Sequence, residues 1–285
     1  MLVPVANARI IYMFKGGNDG AAPEAGLIAD SAGNLYGTTM EGGGAECSGY
    51  GCGTVFRLSP DNTETVLYAF RGGSDGALPM ADLVRDAAGN LYGTTYEGGG
   101  NGCQQGLGCG TVFKLAPDGT ETILYSFKGG GSDGAYPEAG VVQDSVGNLY
   151  GTTVSGGLIC VYNQNCGTVF KIAPDGTETV LHFFRGESNG KLDGAFPEAD
   201  LIIDKTGNLY GTTTEGGLGA PGGAGTVFRV TLKGTEKIIY YFGKGSFFDS
   251  AEPNAGLVSD KTGNLYGTTI SGGQGEHTRG TVFEV

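Results

Sequence analysis

Apolar and polar side chains alternate along short stretches of this chain, and nowhere does the pattern lengthen to the spacing of a helix face. The run Gly110-Thr-Val-Phe-Lys-Leu115 alternates and ends in Ala-Pro-Asp-Gly, a tight-turn signal. Glu121-Thr-Ile-Leu-Tyr-Ser-Phe127 follows as a further strand. Upstream, Ala81-Asp-Leu-Val-Arg-Asp86 is short and half apolar. A turn at Ala-Ala-Gly leads from it into Asn90-Leu-Tyr-Gly-Thr-Thr-Tyr96, which is rich in β-forming residues. Four short antiparallel strands are therefore expected between Ala81 and Phe127, where glycine is too frequent for helices.

The same unit recurs along the chain. Asn-Leu-Tyr-Gly-Thr-Thr begins at Asn34, Asn90, Asn148, Asn208 and Asn264, and each copy leads to Gly-Thr-Val-Phe at Gly53, Gly110, Gly167, Gly225 or Gly280. A period of this size indicates stacked or closed repeats. Four antiparallel strands, repeated five times, predict an all-β, five-bladed β-propeller. The 285 residues are expected to form one domain, with blades at about 24–70, 80–127, 138–184, 198–242 and 254–285. The last repeat stops after its third strand, Gly280–Val285, and the chain opens on Ala8-Arg-Ile-Ile-Tyr-Met-Phe14, which matches Glu121–Phe127 in pattern. Residues 8–14 are therefore expected to complete the fifth blade and close the ring, leaving no free edge.

In such a propeller the tight turns, such as Ala87–Gly89 and Pro117–Gly119, share one face. The long connections share the other, and that long-loop face is the expected binding face.

Composition narrows the partners. Glycine supplies 57 of the 285 residues at fixed repeat positions, with no collagen register. The formal charge of −13 disfavours nucleic acid and anionic membranes, leaving cations, neutral sugars and basic proteins. No apolar run approaches the roughly 20 residues of a membrane helix, so no membrane insertion is expected. Met1–Ile10 lacks the features of a signal peptide and is read as a start from which any export signal has been removed.

Six cysteines form three local pairs, Cys47/Cys52, Cys103/Cys109 and Cys160/Cys166, in the same loop of the first three repeats. The fourth and fifth repeats lack both members in the matching segments, Leu218–Ala224 and Gln274–Arg279. Joint loss is what a disulfide predicts, and no partner histidines sit in these loops to make a zinc site. Persistent disulfides imply an oxidising compartment, so a secreted or periplasmic location is expected.

The unit A-x-L-x-x-D-x-x-G-N-L-Y-G-T-T-x-x-G-G … G-T-V-F-x-L-x-P-D-G-T-E-T-V-L-Y-x-F resembles the bacterial GloVer extracellular repeat of choice-of-anchor tandem-repeat proteins. Its D-x-x-G-N-L-Y core is similar to that of NHL-type propellers. The first resemblance spans residues 8–285. It implies export and surface attachment, and brings no catalytic residues.

The candidate chemistry lies where the repeats agree and where they differ. Asp19, Asp75, Asp133, Asp193 and Asp249 recur in the connection between repeats. They are read first as caps of the Asp-Gly-Ala turn, and alternatively as a carboxylate ring holding Ca²⁺. No other cofactor is indicated. His182 stands where Tyr68 and Tyr125 stand in sister repeats and is read as their structural substitute.

The residue after Asp-Gly-Ala is Ala22, Leu78, Tyr136, Phe196 or Glu252, and the residue after the next proline is Glu24, Met80, Glu138, Glu198 or Asn254. Exposed rings among carboxylates suit a carbohydrate, whose apolar face stacks while its hydroxyls take the oxygens. Tyr136, Phe196, Tyr50 and Tyr162, with Glu138 and Glu198, are the expected site on a module binding a glycan or an extracellular protein partner. The alternatives are a glycoside hydrolase or lyase built on Glu24, Glu138 and Glu198, and a non-catalytic scaffold.

Overall fold

The computed structural model describes residues 8–103, 106–160, 164–188, 191–218, 222–243, 251–272 and 279–285. Each of the first four repeats forms a four-stranded antiparallel sheet in chain order. In the second repeat the strands are Val84–Arg85, Leu91–Thr95, Thr111–Leu115 and Glu121–Ser126. The hexapeptide is the second strand every time, and its residues divide the work. Leu91 is buried, while the Tyr92 hydroxyl donates to Asp86 Oδ2 in the turn before it at 3.0 Å. Gly93 lies opposite Phe113, whose ring would sit 2.8 Å from any added Cβ, so packing explains this glycine and no special backbone angle is needed. The Thr95 hydroxyl meets that of Thr111 across the strands at 2.8 Å.

The Asp of Asp-x-x-Gly-Asn makes the tight turn. Asp144 Oδ1 accepts the Val146 and Asn148 amides, and Oδ2 accepts Asn148 Nδ2 and the Tyr150 hydroxyl. The repeated tyrosines thus anchor their hydroxyls in their own repeat, while the rings of Tyr92 and Tyr150 pack into the clusters shared with the next repeat.

Successive repeats join through aromatic seams. The phenylalanine that ends one repeat packs edge-on against the third-strand phenylalanine of the next, in Phe70–Phe113, Phe127–Phe170, Phe184–Phe228 and Phe242–Phe283 at 5.0–5.1 Å. Each such pair contributes about 0.5–1.5 kcal/mol beyond the area it buries. Four apolar clusters, one per seam, form the core.

The expected closed five-bladed propeller is not what forms. The described residues hold 29 strands in ten sheets, where five four-stranded blades would hold about 20. Four sheets have four strands, one has three and five have two, and none closes on itself. The additional sheets are mainly ribbons such as Gly76–Ala77 with Glu97–Gly98, which join the connection between repeats to the segment after the hexapeptide. Nor do residues 8–14 form a strand. The sheet of Val258–Ser259, Leu265–Thr269 and Thr281–Glu284 stays three-stranded. Val282 is 79 % exposed where its counterparts Val55, Val112, Val169 and Val227 are fully buried.

The physical reason lies in what residues 8–14 share with a fourth strand. Tyr12 donates to Asp19 Oδ2, and Phe14 packs on Phe56 at 5.0 Å, as their counterparts do. Those contacts reach forward to the next repeat. An alternating pattern fixes which side chains face inward, but not which distant edge a strand joins. The result is a propeller-like repeat fold whose last sheet, among the described residues, has three strands.

Candidate functional site

The connection between repeats is built by one backbone device. Ala22, Leu78, Tyr136, Phe196 and Glu252, the positions at which the repeats differ, all sit at φ between 52° and 58°. This is left-handed backbone that a side chain adopts only under tertiary constraint. The constraint is a clamp across two repeats. The Leu78, Tyr136, Phe196 and Glu252 amides donate to Cys52, Cys109, Cys166 and Ala224 of the preceding repeat. Their carbonyls accept from Tyr96, Val154, Thr214 and Ile270 of their own repeat. Variable side chains are thereby presented from a fixed backbone.

The disulfides hold the other half of that clamp. Cys47–Cys52, Cys103–Cys109 and Cys160–Cys166 are bonded as expected, with Cα–Cα distances of 5.3, 5.3 and 5.9 Å. Cys52, Cys109 and Cys166 are fully buried and supply the carbonyls that take the clamp amides. Three disulfides fit an extracellular protein, and among the described residues no helix is long and apolar enough to cross a membrane.

The recurrent aspartates cap turns. Asp75 accepts the Gly76 and Arg71 amides and the Tyr68 hydroxyl, Asp133 accepts their counterparts from Gly134, Lys128 and Tyr125, and Asp19 repeats the arrangement. Asp193 keeps the two amides but faces His182 in place of a tyrosine, with Nε2 to Oδ2 at 3.2 Å. Each caps a turn in its own repeat; Asp249 lies outside the described residues.

A glutamate from the next fourth strand stands beside each of these aspartates. Burial, reinforced by the aspartate charge, pushes Glu121 and Glu178 up to about 7.

At the start of the first strands, all five repeats line one pocket of about 330 Å³. Glu24, Met80, Glu138, Glu198 and Asn254 lie around it, with Asp82 and Asp200 two residues further along the chain from Met80 and Glu198. The three glutamates expected as a carboxylate set are therefore brought together, though Glu24 is exposed while Glu138 and Glu198 are half-buried. Burial and the Glu198 charge raise Glu138 to about 7. Glu198 is raised by burial and partly held down by its hydrogen bonds from the Thr214 hydroxyl and Asn254 Nδ2.

Tyr136 stacks on Tyr96 at 4.9 Å with planes 27° apart, and Glu138 bears electrostatically on Tyr96. Phe196 packs into the seam cluster of repeats three and four. Tyr50 is 70 % exposed on the first disulfide loop, away from this pocket, and Tyr162 lies outside the described residues.

Tyr96, Asp82 and Asp200 escaped the sequence reading. A signal for Tyr96 existed, because the residue after the hexapeptide is Met40, Tyr96, Val154, Thr214 or Ile270. Likewise the position of Asp82 alternates as Gly26, Asp82, Gly140, Asp200 and Gly256. The alternation has a steric meaning: Asp82 and Asp200 accept the amides of Gly26 and Gly140 in the preceding repeat. A Cβ on Gly140 would meet the Asp82 carbonyl at 2.6 Å.

A larger cavity of about 660 Å³ lies on the tight-turn face between repeats two and three. Two of its polar walls, Asp86 and Asp144, are already saturated by Asn90 and Tyr92, and by Asn148 and Tyr150.

These features define a disulfide-bearing, propeller-like tandem-repeat protein. The chain belongs to the Gloeobacter/Verrucomicrobia repeat family, which it matches over residues 2–222 and 103–285 in two overlapping stretches. No curated protein matches it. Among solved structures it is similar to a candidate gluconolactonase, at 16 % identity and a TM-score of 0.47 over 91 % of this chain and 73 % of that one. A luciferin-regenerating enzyme aligns at 14 % identity and a TM-score of 0.47, over 90 % of this chain and 76 % of the other. PorZ, a bacterial surface component of the type-IX secretion system of Porphyromonas gingivalis, aligns at 14 % identity and a TM-score of 0.50. That alignment covers 92 % of this chain and 32 % of PorZ. At such identities the likeness concerns the fold alone.

Proposed function

We propose that the protein is an exported binding module that takes a neutral carbohydrate at the pocket shared by the five repeats. The observation that carries this reading is the stacked Tyr96–Tyr136 pair, on which Glu138 bears from the pocket that it lines with Glu198. Aromatic rings held by a rigid backbone clamp lose little freedom on stacking against a sugar, and the half-buried carboxyls take its hydroxyls. The formal charge of −13 favours a neutral or cationic ligand over an anionic one. The three disulfides support a secreted or surface location, with an extracellular protein bearing the glycan as the partner.

A second reading has one observation in its favour. Glu138, raised to about 7 with Glu198 beside it, is a carboxyl poised to give or take a proton at neutral pH, as glycoside hydrolysis requires. A glycan array followed by product analysis separates the two. Capture without cleavage, weakened two- to tenfold in Y96A or Y136A, is expected for the module, since stacking contributes about 0.5–1.5 kcal/mol. Cleavage lost in E138Q and E198Q would establish the enzyme, and neither binding nor cleavage would overturn both readings.

A further inference from the structure

The seam between repeats three and four departs from its sisters at one residue. In three other connections a tyrosine, Tyr12, Tyr68 or Tyr125, donates its hydroxyl to the turn aspartate. At the corresponding place in the third repeat stands His182, and the fourth repeat supplies Glu236. We propose that His182, Asp193 and Glu236 form a binding site for a divalent transition ion of the zinc class, joining repeats three and four.

The geometry supports this in three ways. The ligand atoms of the three side chains all lie within 4.8 Å of one another. A tetrahedral zinc with N and O ligands at about 2.0–2.2 Å sets ligand atoms roughly 3.5 Å apart, so a side-chain adjustment of about 1 Å closes the set. Next, one carboxyl oxygen of Glu236, Oε1, is buried without a hydrogen-bond partner among the described residues. Last, the site is held yet reachable: the His182 and Asp193 side chains are 16 % and 10 % exposed. Asp193 is fixed by the Arg185 and Gly194 amides, and the His182 ring packs edge-on against Phe184 at 4.9 Å.

The sister seams decide the chemical class. Glu64, Glu121 and Glu178 also carry a buried, unpartnered Oε1 beside a turn aspartate. A hard cation satisfied by carboxylates alone, such as Ca²⁺, would find the same pair at four seams. An ion that seeks imidazole nitrogen finds it at one. Three protein ligands leave a fourth position to water, and the ion would staple His182 of repeat three to Glu236 of repeat four. The fourth repeat has no loop disulfide of its own.

Calorimetric titration of the chelator-treated full chain with ZnCl₂ tests the proposal, with CaCl₂ in parallel. One zinc per chain is expected, with a zinc-dependent rise in melting temperature. Both should be lost in H182Y, which installs the tyrosine of the sister repeats and so preserves the fold, and both should be weakened at least tenfold in E236Q. No saturable zinc uptake by the wild-type chain would overturn the site. Uptake unchanged in H182Y would do the same, as would calcium binding at several equivalents that competes with the zinc.

Discussion

Gly93 shows how one position carries the demands of two strands. Its lack of a side chain admits the Phe113 ring, and a Cβ there would also meet Leu83 at 2.9 Å. G93A is expected to destabilise the protein by about 1–3 kcal/mol through overpacking, read as an earlier midpoint in denaturant unfolding with unchanged slope. The sequence shows Gly93 to be invariant among the repeats but not why, because its constraint is a ring from the next strand. The same holds at the candidate site. Glu138, Glu198 and Tyr136 stood out because the repeats disagree there. Tyr96 stacks on Tyr136 from 40 residues away, and local pattern carries no record of that contact. The left-handed backbone of Tyr136 was equally hidden, since glycine is the usual mark of such a φ and this position never has it.

Among the elements, the long strands were legible and the short ribbons were not. Thr111–Leu115 and Glu121–Ser126 announce themselves by alternation and by the turn between them. Gly76–Ala77 is two residues long, and its pairing with Glu97–Gly98 rests on backbone bonds alone, so its side chains leave no pattern. The disulfide loops were legible for a chemical reason, the joint loss of both cysteines in two repeats. Opening one of them tests the clamp they support. The chain-entropy model assigns about 2 kcal/mol to a loop of this length. Replacing Cys103 and Cys109 together by serine should cost at least that in thermal or chemical unfolding. Phe127 and Tyr136 should show faster amide hydrogen exchange, because both are held within the loop's seam.

Across the whole molecule, the repeated Asp–Glu seams make stability depend on pH. Glu121 and Glu178 rise from 4.5 to about 7 on folding, so the native state binds protons more tightly than the unfolded chain. Their contribution is fully present below about pH 4.5 and is lost as pH rises through about 7. Melting temperature is therefore expected to fall between pH 5 and pH 8, and the slope should flatten in E121Q/E178Q. An unchanged slope in that variant would place the pH dependence elsewhere. Ring closure was the feature the sequence could not supply: Tyr12 and Phe14 match a fourth strand residue by residue, yet their contacts run forward to Asp19 and Phe56. The serial aromatic seams have a mechanical consequence. A chain in which each repeat leans on its neighbours should yield under tension as a sawtooth, each peak releasing one repeat. A period of 56–60 residues corresponds to about 200 Å of extended chain. Three of the peaks, those of the disulfide-bearing repeats, should be shorter by about 15 Å, because a disulfide bypasses five or six residues in each. Adding a reductant should lengthen those three and leave the rest of the trace unchanged.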